Sequence, residues 1–175
     1  MNRRVFFGLS PSAKSKTEID QWRQQYLTHL NNKKLKPVAV ENFHLTLFFI
    51  GFVDQKAFSK LFALGDTINA QPFSLTLNTL GLFKRPKVLY LGCQTIPTEL
   101  QQLASLLAKQ LGDLGFTHQH STFVPHLTLC RKATEAVLAQ QDFAFTLFFN
   151  DFCLYESTTV DDKVKYNILK RWSLQ

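Results

Sequence analysis

Hydrophobic and polar positions follow two different periods along this chain. Residues 3–9, RRVFFGL, are dense in β-forming side chains and run into Ser10-Pro11, a turn signal, so they predict a strand. Ile19, Trp22, Tyr26, Leu27 and Leu30 recur at helical spacing and predict a helix to about Leu30, capped by Ser15 or Thr17. A basic loop with Lys33, Lys34 and Lys36 closes at Pro37, and a strand carrying FHLTLFFIG then stops at Gly51. Ala57, Leu61, Phe62, Leu64 and Ile68 predict a second amphipathic helix. FSLTLNTLG (73–81) alternates as one strand and KVLYLGC (87–93) as another, with GLFKRP (81–86) connecting them.

The second half repeats that rhythm. After Pro97, Leu100, Leu103, Leu106, Leu107 and Leu111 share one helical face, and the helix is expected to end near Gly112 or Gly115. A polar connector, HQHSTF, leads into a second strand, VPHLTLCR, and a short helix is expected around 135–140. FAFTLFF, DFCLYES and KVKYNILKRWSL then read as strands, with Trp172 packed inside. No Gly/Ser-rich linker divides the halves, so the pattern predicts one α+β domain over residues 1–175 with two similar lobes.

Composition changes this picture in three ways. With 45% hydrophobic residues and 17 Phe the chain has ample core material, which excludes a disordered protein. No apolar run approaches the roughly 20 residues that span a bilayer, and the one after Arg3-Arg4 is too short for a signal sequence, so no membrane and a cytoplasmic location are expected. Cys93, Cys130 and Cys153 form no CxxC pair, which argues against disulfide or zinc scaffolds and for reduced, buried thiols. A net charge of +7 favours anionic partners such as phosphates or nucleic acid, although solubility alone would also use it.

The candidate chemistry lies in a duplication. His44-Leu45-Thr46-Leu47 is repeated as His126-Leu127-Thr128-Leu129, 82 positions later (126 − 44). On a strand, residues i and i+2 face the same side, so each histidine shares a face with its threonine while the leucines fill the other. Two imidazoles can divide acid and base work near neutral pH, one activating water and one protonating a departing oxygen. Threonine hydroxyls can hold the non-bridging oxygens of a phosphodiester without adding charge, and no metal or other cofactor is needed. A single HxT in a strand is ordinary packing; two copies at matching places in two halves point to a paired site.

These motifs, with the flanking RVFFGL, VENFHLTLFFIG, FSLTLNTLG, VLYLG, VPHLTLCR and LYES…YNILKRWSL, resemble the two-histidine phosphoesterase superfamily over essentially the whole chain, most closely the bacterial RNA 2′,3′-cyclic phosphodiesterases, also called 2′-5′ RNA ligase-like proteins. The resemblance implies a bilobal fold, with two antiparallel sheets in pseudo-two-fold lobes around a central cleft and helices outside. It also implies metal-independent hydrolysis of a terminal 2′,3′-cyclic phosphate to a 2′-phosphate. His44 would be the general acid and His126 the general base, with Thr46 and Thr128 holding the phosphate. Arg131 matches an HxTxxR extension that binds phosphate, yet simple parity turns it away from His126, so the strand must end or bulge there. Phe49, at the corresponding place after the first motif, could stack on the terminal base, although parity puts Phe48 on the His44 face.

The remaining candidates are weaker. His118 and His120 form an HxH pair with no carboxylate or cysteine nearby to complete a metal set, and His29 reads as a surface residue at a helix end. Lys33, Lys34, Lys36, Arg85 and Lys87 could contact further RNA phosphates. The expected partner is an RNA or oligonucleotide with a cyclic phosphate end, or a cyclic nucleotide, acting on a monomer. Two functions compete with hydrolysis: reversible 2′-5′ RNA ligation at the same site, and a non-enzymatic RNA-binding module that uses a basic cleft and exposed aromatics.

Overall fold

The computed structural model describes residues 2–28, 34–117, 123–134 and 142–175. In chain order its elements are β1 Arg3–Leu9, α1 Ala13–Thr28, β2 Lys36–Pro37, a 3-10 turn Val40–Asn42, β3 Leu45–Val53, α2 Gln55–Thr67, β4 Phe73–Leu77, β5 Thr79–Phe83, β6 Val88–Gly92, α3 Thr98–Asp113, β7 Leu127–Arg131, β8 Phe145–Phe149, β9 Asp151–Val160 and β10 Lys163–Ser173. The expected short helix at 135–140 lies outside the described residues, as do His29, Leu30, Lys33, His118 and His120.

The protein is α+β, as its pattern predicts, with the two antiparallel sheets that the resemblance implies. The strands are divided unevenly. Eight form one sheet in the order β10-β9-β1-β3-β7-β6-β5, with β2 alongside β7, while β4 and β8 form the other. Within the large sheet, β3 and β7 pair at one rung, Leu45 opposite Leu127. Four strands from the two chain ends thus meet three strands from the middle at the two HLTL segments.

One sheet face is covered by a continuous core in which Leu9, Leu45, Leu47, Leu127 and Leu129 pack with helix residues such as Leu61, Leu103 and Leu107. The helices bury single stripes: Leu100, Leu103, Leu107 and Leu111 on α3, and Phe58, Leu61 and Leu64 on α2. Asp54 starts α2 by accepting the Ala57 N–H at 2.8 Å, as an N-cap carboxylate does. The opposite sheet face carries a separate cluster of Phe6, Cys153 and Tyr155, with Phe49, Tyr166 and Ile168 against it.

Three expectations change. Helix α1 begins earlier than Ser15 or Thr17 allows: the Ser12 hydroxyl accepts the Ser15 N–H at 3.1 Å, and Thr17 lies within the helix, donating to the Ala13 carbonyl. FSLTLNTLG is two strands in two sheets. The chain breaks at Asn78, whose N–H bonds the Gly92 carbonyl and whose side-chain oxygen accepts the Gln94 N–H, both at 3.0 Å. A period of two cannot reveal that change, because both strands have it. Finally, residues 81–83 continue β5 rather than connecting it to β6, and the reversal is a turn at 84–87 ending on Lys87 at φ 53°.

Gly8 is needed where β1 lies between β3 and β9. A Cβ there would sit 2.7 Å from the Leu45 carbonyl oxygen. Backbone cannot yield as a side-chain tip can, so Gly8→Ala should cost about 1–3 kcal/mol of overpacking strain. Urea unfolding checks this: a lower midpoint at unchanged slope is expected, and an unchanged midpoint contradicts the tight fit.

Candidate active site

The Leu45–Leu127 rung organises the site. In an antiparallel pair a local two-fold axis runs between directly opposed residues. Here it relates the two motifs, and both leucines of the rung are buried in the core. Their neighbours His44, Thr46, His126 and Thr128 are half-buried and face the other side. Neither imidazole turns inward among the leucines. The sequence expectation that these four share one face therefore holds geometrically.

Both histidines are held in the same way. His44 Nδ1 lies 2.7 Å from the Asn42 carbonyl oxygen, and His126 Nδ1 lies 2.8 Å from that of Val124. A carbonyl only accepts, so Nδ1 carries the proton in each ring and Nε2 is the nitrogen that exchanges protons. In the neutral state His44 Nε2 accepts from the Thr46 hydroxyl at 3.1 Å. Asn42 is itself fixed: its amide donates to the Val164 carbonyl at 2.7 Å and accepts the Tyr166 N–H at 3.0 Å, tying the residue before Phe43 to β10.

Sequence reasoning missed the aromatic walls. The His44 ring has Phe6, Tyr166 and Tyr155 at centroid distances of 4.8, 4.7 and 5.7 Å. His126 has Phe83 at 5.0 Å and Tyr90 at 5.5 Å, both edge-on. Tyr90 also lies over Gly81, where a Cβ would meet its ring at 2.3 Å. Phe6 and Tyr155 alternate outward from strands otherwise facing the core, a signal available in RRVFFGL and DFCLYES but ambiguous in a chain with 17 Phe.

A β-bulge follows each threonine. Thr128 pairs with Tyr90 and Cys130 with Leu89, leaving Leu129 as the extra residue. Gly8 pairs with Thr46 and Phe7 with Phe48, leaving Leu47 extra. Consecutive residues, Leu47-Phe48 and Leu129-Cys130, consequently all face the core. Parity is reversed beyond each bulge. Phe48 is buried rather than on the His44 face, and Phe49 rejoins that face beside Phe6 and Tyr155. Arg131, opposite Val88 on β6 and Lys36 on β2, returns to the side of Thr128 and is exposed. Lys34, Arg85 and Lys87 are exposed as well.

Burial depresses the His44 pKa to about 4, and the positive charges of His126, Lys16 and Arg131 push the same way, against the bond to Asn42. The fold therefore disfavours the protonated ring. Its contribution to stability is complete above about pH 6.5, the unfolded value, and is lost as pH falls from there toward 4. In His44→Gln, unfolding free energy should fall less steeply over that window, by up to about 1.4 kcal/mol per pH unit. Equal slopes in urea titrations of the two proteins would contradict this. The buried thiols offer no nucleophile: desolvation pushes Cys130 up to about 11 and Cys153 up to about 12. Among the described residues, no three His, Cys, Asp or Glu side chains gather as a metal site would need, and no helix is long and apolar enough to cross a membrane.

Comparison with known proteins places this geometry. The model of the LigT-like phosphoesterase family matches residues 9–90. A protein of Escherichia coli (strain K12) named RNA 2′,3′-cyclic phosphodiesterase is 35% identical over 173 residues, covering 98% of this chain and 97% of its own. One of the same name from Methanocaldococcus jannaschii is 26% identical over 97% of this chain and 99% of its own. The crystal structure of E. coli LigT complexed with 3′-AMP superimposes with a TM-score of 0.90 at 34% identity, covering 99% of both chains.

Proposed function

The chain belongs to the LigT-like phosphoesterase family, and from that membership we propose that it hydrolyses the 2′,3′-cyclic phosphate at the end of an RNA to a 2′-phosphate. The observation that carries this reading is the rung at Leu45 and Leu127, which sets two His/Thr pairs on one face about a local two-fold axis. Two proton-transferring groups on either side of one phosphorus atom are what in-line displacement at a phosphodiester requires.

In this reading water attacks phosphorus and gives its proton to His126 Nε2. The P–O3′ bond breaks, and O3′ takes a proton from His44 Nε2. The product is a 2′-phosphate with a free 3′-hydroxyl, and the two rings regain their starting protonation from solvent. Thr46, Thr128 and Arg131 donate to the non-bridging oxygens, and Phe49 offers its face to the terminal base. The chain acts as a cytoplasmic monomer on RNA ends or on cyclic nucleotides.

One observation favours exchanging the two histidine roles: burial lowers the His44 pKa to about 4, which favours a neutral ring, as a base would have. A bound phosphate answers it. Its negative charge would oppose the repulsion from His126, Lys16 and Arg131 and draw the His44 pKa upward, against the burial that is the larger cause of the depression. The function itself is tested by incubating the protein in EDTA with 2′,3′-cyclic AMP and with an oligonucleotide ending in a cyclic phosphate, then mapping the product. A 2′-phosphate is expected; a 3′-phosphate, or strict dependence on added metal, overturns the proposal.

A further inference from the structure

Apart from Tyr and Cys, the buried polar or charged residues among the described part of the chain are Asn42 and Arg23, and Arg23 is 5% exposed. A guanidinium this deep needs a reason, because taking a charge out of water is costly unless it is paired and bonded. Arg23 stands on the apolar stripe of α1, four residues after Ile19 and three before Tyr26. Its Nη1 donates to two backbone carbonyls at once, Val38 at 2.5 Å and Leu129 at 3.0 Å. Its Nη2 pairs with Asp20, whose other carboxylate oxygen accepts from the Gln24 amide at 2.7 Å. The guanidinium carbon lies 4.8 Å from the centroid of the Phe43 ring.

These partners are not scattered. Leu129 is the extra residue of the second bulge, and its carbonyl also accepts the Val38 N–H at 2.9 Å. Phe43 is the residue before His44. One buried cation thus grips the bulge behind Thr128 and lies against the base of the first motif.

We propose that Arg23, oriented by Asp20, is a positioning residue that fixes the Leu129 bulge and so aims Arg131 at the phosphate held by the His/Thr pairs. The proposal rests on the reading of that site given above. A regular strand would turn Arg131 to the core side, as alternation alone predicts. The bulge reverses that, and bulges need their unpaired groups held elsewhere, because the ladder no longer serves them. The Leu129 carbonyl obtains that hold from Arg23 and Val38. Lysine at position 23 would keep a charge for Asp20 but could not present the planar fork that spans both carbonyls and the carboxylate.

The test is a double-mutant cycle on the full chain, using a cyclic-phosphate oligonucleotide and reading kcat and KM for Arg23→Lys, Arg131→Gln and the pair. Melting curves set an assay temperature at which every variant is folded. Arg131→Gln is expected to lower kcat/KM by about a hundredfold, as loss of a phosphate donor does. Arg23→Lys should lower it about tenfold or more, as a small misplacement does. The double variant should lose no more than Arg131→Gln alone. Losses that multiply, or a folded Arg23→Lys with parental kinetics, would overturn the proposal while leaving the site reading intact. Parental activity in Arg131→Gln would overturn the proposal and remove Arg131 from the phosphate site, while the His/Thr pairs stand or fall by the product test above. If Arg23→Lys does not fold, Asp20→Asn takes its place in the cycle, because it keeps the guanidinium and removes the charge that orients it. The same absence of additivity is expected, and additive losses there overturn the proposal equally.

Discussion

Replacing either His44 or His126 by alanine lowers turnover of an RNA cyclic phosphate by about 10²- to 10⁴-fold, the range for losing one positioned proton-transfer group. Both rings stand on the sheet face opposite the core that Leu45 and Leu127 enter. Both variants should accordingly stay folded and still bind the substrate. What separates them is the leaving group. An aryl phosphodiester whose leaving group departs without a proton has no use for an acid, so the His44→Ala enzyme should recover most of its rate on it. The His126→Ala enzyme should not, because water still needs a base. Recovery in His126→Ala instead would exchange the two assignments, and recovery in neither would remove the acid role altogether. The His44 pKa, lowered to about 4 chiefly by burial, makes this experiment informative, since an acid role for that ring needs a bound phosphate to raise it.

The second large effect belongs to the threonines. Thr46→Val and Thr128→Val keep shape and β-propensity but remove the hydroxyl, and each should lower kcat by about 10²- to 10³-fold if the donor is aimed at charge that develops on phosphate. Thr→Ser at either position retains the donor and should stay within about tenfold of the parent. The Thr46 hydroxyl bonds His44 Nε2 at 3.1 Å. Thr46→Val therefore also alters how that ring is held, and its pH–rate profile should shift from that of the parent. Steady-state kinetics across pH for Thr46→Val and the parent decide this; identical profiles would mean that the Thr46–His44 bond does not persist in the complex.

Most strands were legible because their side chains alternate or run apolar without a break. RRVFFGL became β1 residue for residue, and the three terminal strand segments became β8, β9 and β10. The duplication of HLTL was legible too, and with it the shared face of His44, Thr46, His126 and Thr128. What parity could not deliver was anything beyond a bulge. It placed Phe48 on the His44 face, where the structure has Phe49, and it set Arg131 against its own motif. The hint was present in two apolar residues in succession, Leu47-Phe48 and Leu129-Cys130, but a fully buried strand writes the same letters. Arg23 was invisible for a different reason. A charge on an apolar helical stripe reads as an interruption until its acceptors, 15 and 106 residues away, are known. Tyr90, Tyr166 and Phe83 were hidden by abundance, because any aromatic on a strand has a core to fill.

The single rung between β3 and β7 has a consequence for how a ligand knows which way round to enter. A dyad gives no direction: a phosphate flipped end over end would meet the same imidazole, the same hydroxyl and the same carbonyl-anchored Nδ1. The equivalence fails at the first residue past each bulge, where one arm carries the aromatic Phe49 and the other the cationic Arg131. If Phe49 and Arg131 have the roles proposed for them, these two side chains, with the unlike aromatic walls around each histidine, would set the polarity of entry, nucleobase toward one arm and anion toward the other.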